Sequence, residues 1–191
     1  MDRGVTALAL TNINSTYDIW DFVKRCREEG LKPIAGAEIR NGDALLYILL
    51  AAHTSGLAWI NRFISNHLLV KKDFPLPSED TRFFENSWDG FVIYPLDNKP
   101  LAELLPNERI GILPWEIGKL YSIDWKPFRD RLVVRQPVTI QDKKYHALHR
   151  LLRCIDKNLL LSKLPPELEC SIKETFVPPS MPLEKVGMRR P

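Results

Sequence analysis

The side chains suited to acid–base or metal chemistry are sparse and scattered in this sequence. The four histidines, His53, His67, His146 and His149, include no His-x-His pair, and Cys26, Cys154 and Cys170 have no Cys-x-x-Cys spacing. Neither a zinc ribbon nor a disulfide framework is indicated. There is no Asp-x-Asp that could hold two Mg²⁺ ions at a primer terminus, no Gly-x-x-x-x-Gly-Lys phosphate loop and no Gly-x-Ser-x-Gly nucleophile turn. What remains is a group of residues that directly follow apolar runs: Asn12, Ile13 and Asn14 after Thr6–Leu10, Glu38 after Pro33–Ala37, and His53 after Leu45–Ala51. Strand ends of this kind are where α/β folds place their chemistry. One carboxylate among neutral neighbours cannot hold a metal cluster or acidify a bound water. Glu38 is therefore expected to bond backbone or an arginine, and His53, just before Thr54-Ser55, to be a loop or cap residue. His67 receives the same reading, and metal ligation by Glu38 with His53 is the lesser alternative.

A second group lies near the C-terminal end. His146, Arg150, Arg153 and Lys157 follow helical spacing and form a basic stripe opposite an apolar face of Tyr145, Leu148, Leu152 and Ile155. Such a stripe is more often a solvated or domain-contact face than a DNA contact, and no interleaved aromatics suggest base stacking. The tryptophans, Trp20, Trp59, Trp88, Trp115 and Trp125, are spread along the chain and read as packing residues. Any left exposed would mark a face that meets other domains.

The elements that must position these residues follow an α/β pattern. Thr6–Leu10 reads as a buried strand, and Ser15 or Thr16 as the N-cap of a helix whose face is Ile19, Phe22, Val23 and Cys26, with Gly30 at its end. Pro33–Ile39 reads as a second strand, which the compact connection makes parallel to the first. Leu45–Ala51, a helix over 56–66 and a strand over 91–94 continue the alternation, with a surface loop over 71–88. A small helix at 101–105, a strand at 109–113, a helix at 115–121, a strand at 132–136 and a helix through 145–155 complete the reading, and 178–191 is expected to be loosely ordered. With 191 residues, 45% hydrophobic and 27% charged, the chain has the composition of a globular domain. Lys and Arg exceed Asp and Glu by only 27 to 24 and the pI is near 8.7, which demands no nucleic-acid groove. Three widely spaced cysteines fit a reducing cytoplasm, and no signal peptide or membrane span is legible, so a soluble, non-exported protein is expected.

Gly4-Val5-Thr6-Ala7-Leu8-Ala9-Leu10-Thr11-Asn12-Ile13-Asn14, followed by Gly30-Leu31-Lys32-Pro33-Ile34-Ala35-Gly36-Ala37-Glu38, resembles the polymerase-and-histidinol-phosphatase (PHP) domain of bacterial DNA polymerase III alpha subunits. There the pattern runs Ala-Leu-Ala-Leu-Thr-Asp-His, a helix, then Gly-Ile-Lys-Pro-Ile-x-Gly-x-Glu. The resemblance continues through Leu49-Leu50-Ala51, Gly56-Leu57 and Leu148-His149-Arg150-Leu151-Leu152-Arg153-Cys154-Ile155-Asp156.

The resemblance implies a distorted (β/α)7 barrel, here incomplete because the first strand and helix are missing, with a partial PHP domain over 1–166 and a proline- and charge-rich tail over 167–191. It implies Zn or Mn in intact relatives and Mg²⁺ in the polymerase body. It makes Asn12, Ile13, Asn14 and Glu38 vestigial metal-site positions, with Asn12-Ile13 where the family has Asp-His, so no cofactor and no catalysis are expected here. The implied role is a non-catalytic scaffold within a replicative polymerase (nucleotidyltransferase) that carries out DNA replication. Its partners would be the rest of the alpha chain and a proofreading exonuclease subunit. The rival is a free-standing metal-dependent phosphoesterase or 3′-to-5′ exonuclease. The missing strand would leave an unpaired edge along Thr6–Leu10, prone to self-association.

Overall fold

The computed structural model describes residues 4–76 and 88–177, so the expected loop is seen only in part and the expected loose tail lies outside the described residues. The chain divides into two compact units, Met1–Val134 and Arg135–Pro191.

The first unit is built on a six-stranded sheet, curled as a half-barrel, in which the strands lie in chain order: β1 (Ala7–Ile13), β2 (Lys32–Asn41), β3 (Ala44–Ala51), β4 (Gly90–Pro95), β5 (Glu108–Ile112) and β6 (Leu132–Val134). β1 and β2 run parallel, joined through α1 (Ile19–Glu28), as the compact crossover predicts. The cap of α1 differs from expectation. Asp18, at φ 61°, precedes the helix without a side-chain cap bond, because Ser15 accepts from the Tyr17 N–H and Thr16 donates its hydroxyl to Asn61. At the other end Gly30, at φ +70°, takes the left-handed position; its N–H reaches Arg27 and that of Leu31 reaches Cys26, the paired bonds of a Schellman stop.

Strict strand–helix alternation fails after β2. β2 and β3 are antiparallel, joined by the two-residue turn Gly42-Asp43, which is too short for a crossover and favours a hairpin. β3 also runs antiparallel to β4 across α2 (Thr54–Leu69), whereas β4, β5 and β6 are mutually parallel, so β3 alone is reversed. The helices expected at 101–105 and 115–121 are 3-10 turns, Leu101–Glu103 and Pro114–Ser122, and a third spans Lys126–Arg131; proline stands immediately before or within the first two residues of each.

Ile39, Tyr47, Leu49, Ile60, Val92, Tyr94 and Ile110 are among the buried centre of this unit, each side chain contributing roughly 1.5–3 kcal/mol by leaving water. Tyr47 and Tyr94 meet edge to face with centroids 5.8 Å apart. Trp59 and Trp88, read as packing residues, are in contact with ring centroids 4.8 Å apart, and Trp59 stacks on Phe63 at 4.9 Å. His67 joins the same cluster, stacked on Phe74 at 4.9 Å with Nδ1 2.8 Å from the Phe63 carbonyl, which is a packing role.

In the second unit, α3 (Lys143–Lys157) is capped by Asp142, whose Oδ1 accepts from the Lys144 and Tyr145 N–H groups, and stops at Asn158 in the left-handed conformation. Two 3-10 turns, Leu161–Lys163 and Pro166–Leu168, lead to a segment whose Glu174 carbonyl accepts from Thr139 and Ile140. Among the described residues no helix is long and apolar enough to cross a membrane.

Candidate functional site at the strand tips

Parallel pairing in register sets Ile13 beside Glu38, so the sequence-predicted residues Asn12, Ile13, Asn14 and Glu38 do come together at one end of β1 and β2. The polar ones among them each have a local use. Asn12 donates its amide to the Tyr17 carbonyl at 2.6 Å and ties the turn. Asn14, at φ 47°, sets its side chain against the backbone of Arg40: Oδ1 accepts from the Arg40 N–H at 2.8 Å and Nδ2 donates to the Arg40 carbonyl at 2.9 Å. The Asn14 N–H also donates to the Glu38 carbonyl at 2.8 Å. Ile13 is 56% exposed.

Glu38 is ion-paired as its residue type suggested. The Arg40 guanidinium donates from Nε at 3.1 Å and Nη2 at 2.8 Å to Oε2, while Nη1 donates to the Asp43 carbonyl at 3.1 Å. Side-chain exposures of 15% for Glu38 and 28% for Arg40 put this pair in a partly shielded place, where a charge-assisted bond is stronger than at the open surface. A Zn or Mn cluster does not fit these donors. The carboxylate already faces a fixed cation, both amides are spent on backbone, and isoleucine has no lone pair to give. Among the described residues no three His, Cys, Asp or Glu side chains are grouped to hold a metal ion.

His53 sits at the N-terminal cap of α2, and its Nδ1 lies 3.1 Å from both carboxylate oxygens of Asp89. Ser55 donates its hydroxyl to the same carboxylate. That hydrogen bond, and then the one from His53, hold Asp89 below the usual carboxylate range. A histidine oriented by a carboxylate is an arrangement that general bases use. Here, however, the serine hydroxyl is directed at the aspartate and not at the ring, so the trio does not activate a nucleophile. Its effect is to fasten the start of α2 to the residues before β4. Gly56 shows how close that approach is, since an added Cβ would lie 2.0 Å from the Asp89 carbonyl oxygen.

On α3 the basic stripe forms as spaced, but it is turned onto its own chain. Arg150 pairs with Glu169 at 3.0 Å, Arg153 donates Nε to the Leu168 carbonyl at 3.0 Å and Nη1 to Asp156 at 3.1 Å, and Lys157 lies 3.8 Å from Asp156. His146 Nε2 lies 3.1 Å from the Cys170 carbonyl, and His149 Nε2 accepts from the Cys170 N–H at 3.1 Å. Burial, with Arg153 and His146 nearby, holds His149 below the ordinary histidine value. Burial, with Glu174 also close, pushes the Cys170 thiol up to about 11, far from a reactive thiolate. The apolar face, expected to be the packed one, is the exposed one: Tyr145, Leu148, Leu152 and Ile155 are 49%, 48%, 56% and 76% exposed. The hydrogen-bonding needs of the basic side chains decide this, because the 168–170 segment offers carbonyls and Glu169.

Sequence reasoning missed Glu108, whose carboxylate is fully buried. Glu108 accepts from Lys99 Nζ at 2.8 and 2.9 Å, from the Tyr94 hydroxyl at 2.7 Å and from the Leu105 N–H at 2.8 Å. Four hydrogen bonds from three donors satisfy a charge that would otherwise be too costly to bury. No periodicity links Lys99 to Glu108; the turn between β4 and β5 brings them together. Compared with family models and with curated proteins, the chain matches none.

Proposed function

We propose that this chain is a PHP-type domain of a replicative DNA polymerase III alpha subunit, serving DNA-templated synthesis in the whole protein as a non-catalytic brace for the polymerase body and its proofreading partner. The observation that carries this reading is the way Asn14 and Glu38 both fasten on Arg40, one by backbone bonds and one by an ion pair. Residues at the position where a PHP relative would grip metals instead tie β1, β2 and the hairpin to one another. The ordered motifs and the parallel β1–α1–β2 unit support the same reading. We place it in the cytoplasm, where Cys26, Cys154 and Cys170 would persist as the free thiols they are.

The purified chain should carry no stoichiometric Zn or Mn by elemental analysis and should not cleave a generic phosphodiester with added Mn²⁺. Tightly bound metal together with hydrolysis abolished by Glu38→Ala would instead establish the phosphoesterase or exonuclease. The assignment to a polymerase subunit is tested apart from this by reading the flanking DNA; absence of any polymerase body there, in frame or shifted, would sink it.

A further inference from the structure

β1 is an end strand of the sheet and, among the described residues, pairs only with β2. Lys32 N–H donates to the Thr6 carbonyl and Asn14 N–H to the Glu38 carbonyl, so the even-numbered residues of β1 turn their backbone groups toward β2. The N–H and C=O groups of Ala7, Ala9, Thr11 and Ile13 therefore point away from the sheet. Proteins ordinarily protect such an edge with lysine, proline, a bulge or a very short strand. β1, Ala-Leu-Ala-Leu-Thr-Asn-Ile, has no charge and no proline, and its register with β2 runs without a shift. The opposite edge, β6, is only three residues long and is flanked by Arg131 and Arg135.

We propose that β1 is a self-association surface, on which a second copy of this chain adds its own β1 in antiparallel orientation about a twofold axis through Leu10. This rests on the strand itself and not on the reading as a polymerase domain. Parity selects the register. In an antiparallel pair centred on Leu10, Ala7 of one copy faces Ile13 of the other and Ala9 faces Thr11, so every outward group of the strand meets an outward group. Twofold pairings centred on Ala9 or Thr11 leave part of the strand overhanging. The uncharged strand lets two copies meet without like-charge repulsion. Ile13, Tyr17 and Trp20, which are 56%, 74% and 73% exposed, follow the edge in the chain and supply apolar surface where it ends.

The full chain should sediment as a dimer at micromolar concentration. Ala9→Pro removes an outward N–H that β2 does not use, and should weaken the dimer at least about tenfold with the circular dichroism of the monomer retained. A second measurement does not depend on how proline is tolerated. Leu10 faces its own counterpart as a non-hydrogen-bonded pair, about 4.5 Å between Cα atoms, which is within disulfide range. Oxidised Leu10→Cys should give a covalent dimer and Leu8→Cys, which faces Asn12, should not; both are made with Cys170→Ser, since Cys170 is only part-buried while Cys26 and Cys154 are buried. A wild-type chain that stays monomeric at high concentration, a dimer indifferent to Ala9→Pro, or equal cross-linking through Leu8→Cys and Leu10→Cys would each overturn the proposal.

Discussion

An asparagine at positive φ does two things at position 14. It accepts a backbone conformation that most L-residues avoid, and its amide completes both hydrogen bonds of Arg40, from 26 residues away, where β1 has run out. Asn14→Ala loses both bonds and keeps the unfavourable φ, so it should destabilise the chain by roughly 2–4 kcal/mol. Asn14→Gly restores conformational ease without the amide and should fall between alanine and wild type. Denaturant midpoints read this order directly, and an alanine variant as stable as wild type would remove the clamp from the account. The ion pair of Glu38 belongs to the same scale. That it would bond backbone or an arginine was legible from the sequence, because a strand-end carboxylate needs a donor. That the donor is Arg40, two residues along the same strand, was not, since strand neighbours at that spacing share a face but need not bond.

For whole elements, α3 shows the limit of periodicity. The 3.6-residue repeat marks an apolar and a basic side, and both exist as spaced, but periodicity does not say which side the protein covers. The segment carrying Glu169 and the Leu168 and Cys170 backbone covers the basic one. This has a pH signature. His149 accepts a hydrogen bond from Cys170 and is held below the ordinary histidine value of 6.5, so the unfolded chain binds this proton more readily than the native one. Stability should therefore be full above the unfolded-state value and fall as pH drops through 6.5, levelling once native His149 is also protonated. Melting temperatures of wild type and His149→Gln across this window isolate the contribution. Parallel pH profiles for the two would mean that the His149 acceptor role carries no stability. β3 is the other element whose setting differed. Gly42-Asp43 between apolar runs is a hairpin signal, and reading it as such would have reversed β3 correctly.

At the level of the molecule, the described part of residues 1–134 holds the six-stranded sheet, α1, α2 and the buried Glu108 network. A unit with its own core should fold alone. Residues 1–134 expressed without the remainder should unfold cooperatively, with the near-ultraviolet signal of a packed aromatic cluster around Trp59, Trp88 and Phe63. A gradual, non-cooperative transition would show that the second unit is needed to complete it.

Turn residues, apolar runs and crossover length are local quantities, and from them alone the strands and long helices can be placed, β1 set parallel to β2, and Asn12 to Asn14 brought with Glu38 to one end of the sheet. The partners emerge from the folded chain: Asn14 with Arg40, His53 with Asp89, Lys99 with Glu108, and the basic side of α3 with the 168–170 segment. A donor finds its acceptor through strand register and the path of the turns, and those are set by the packing of the whole chain.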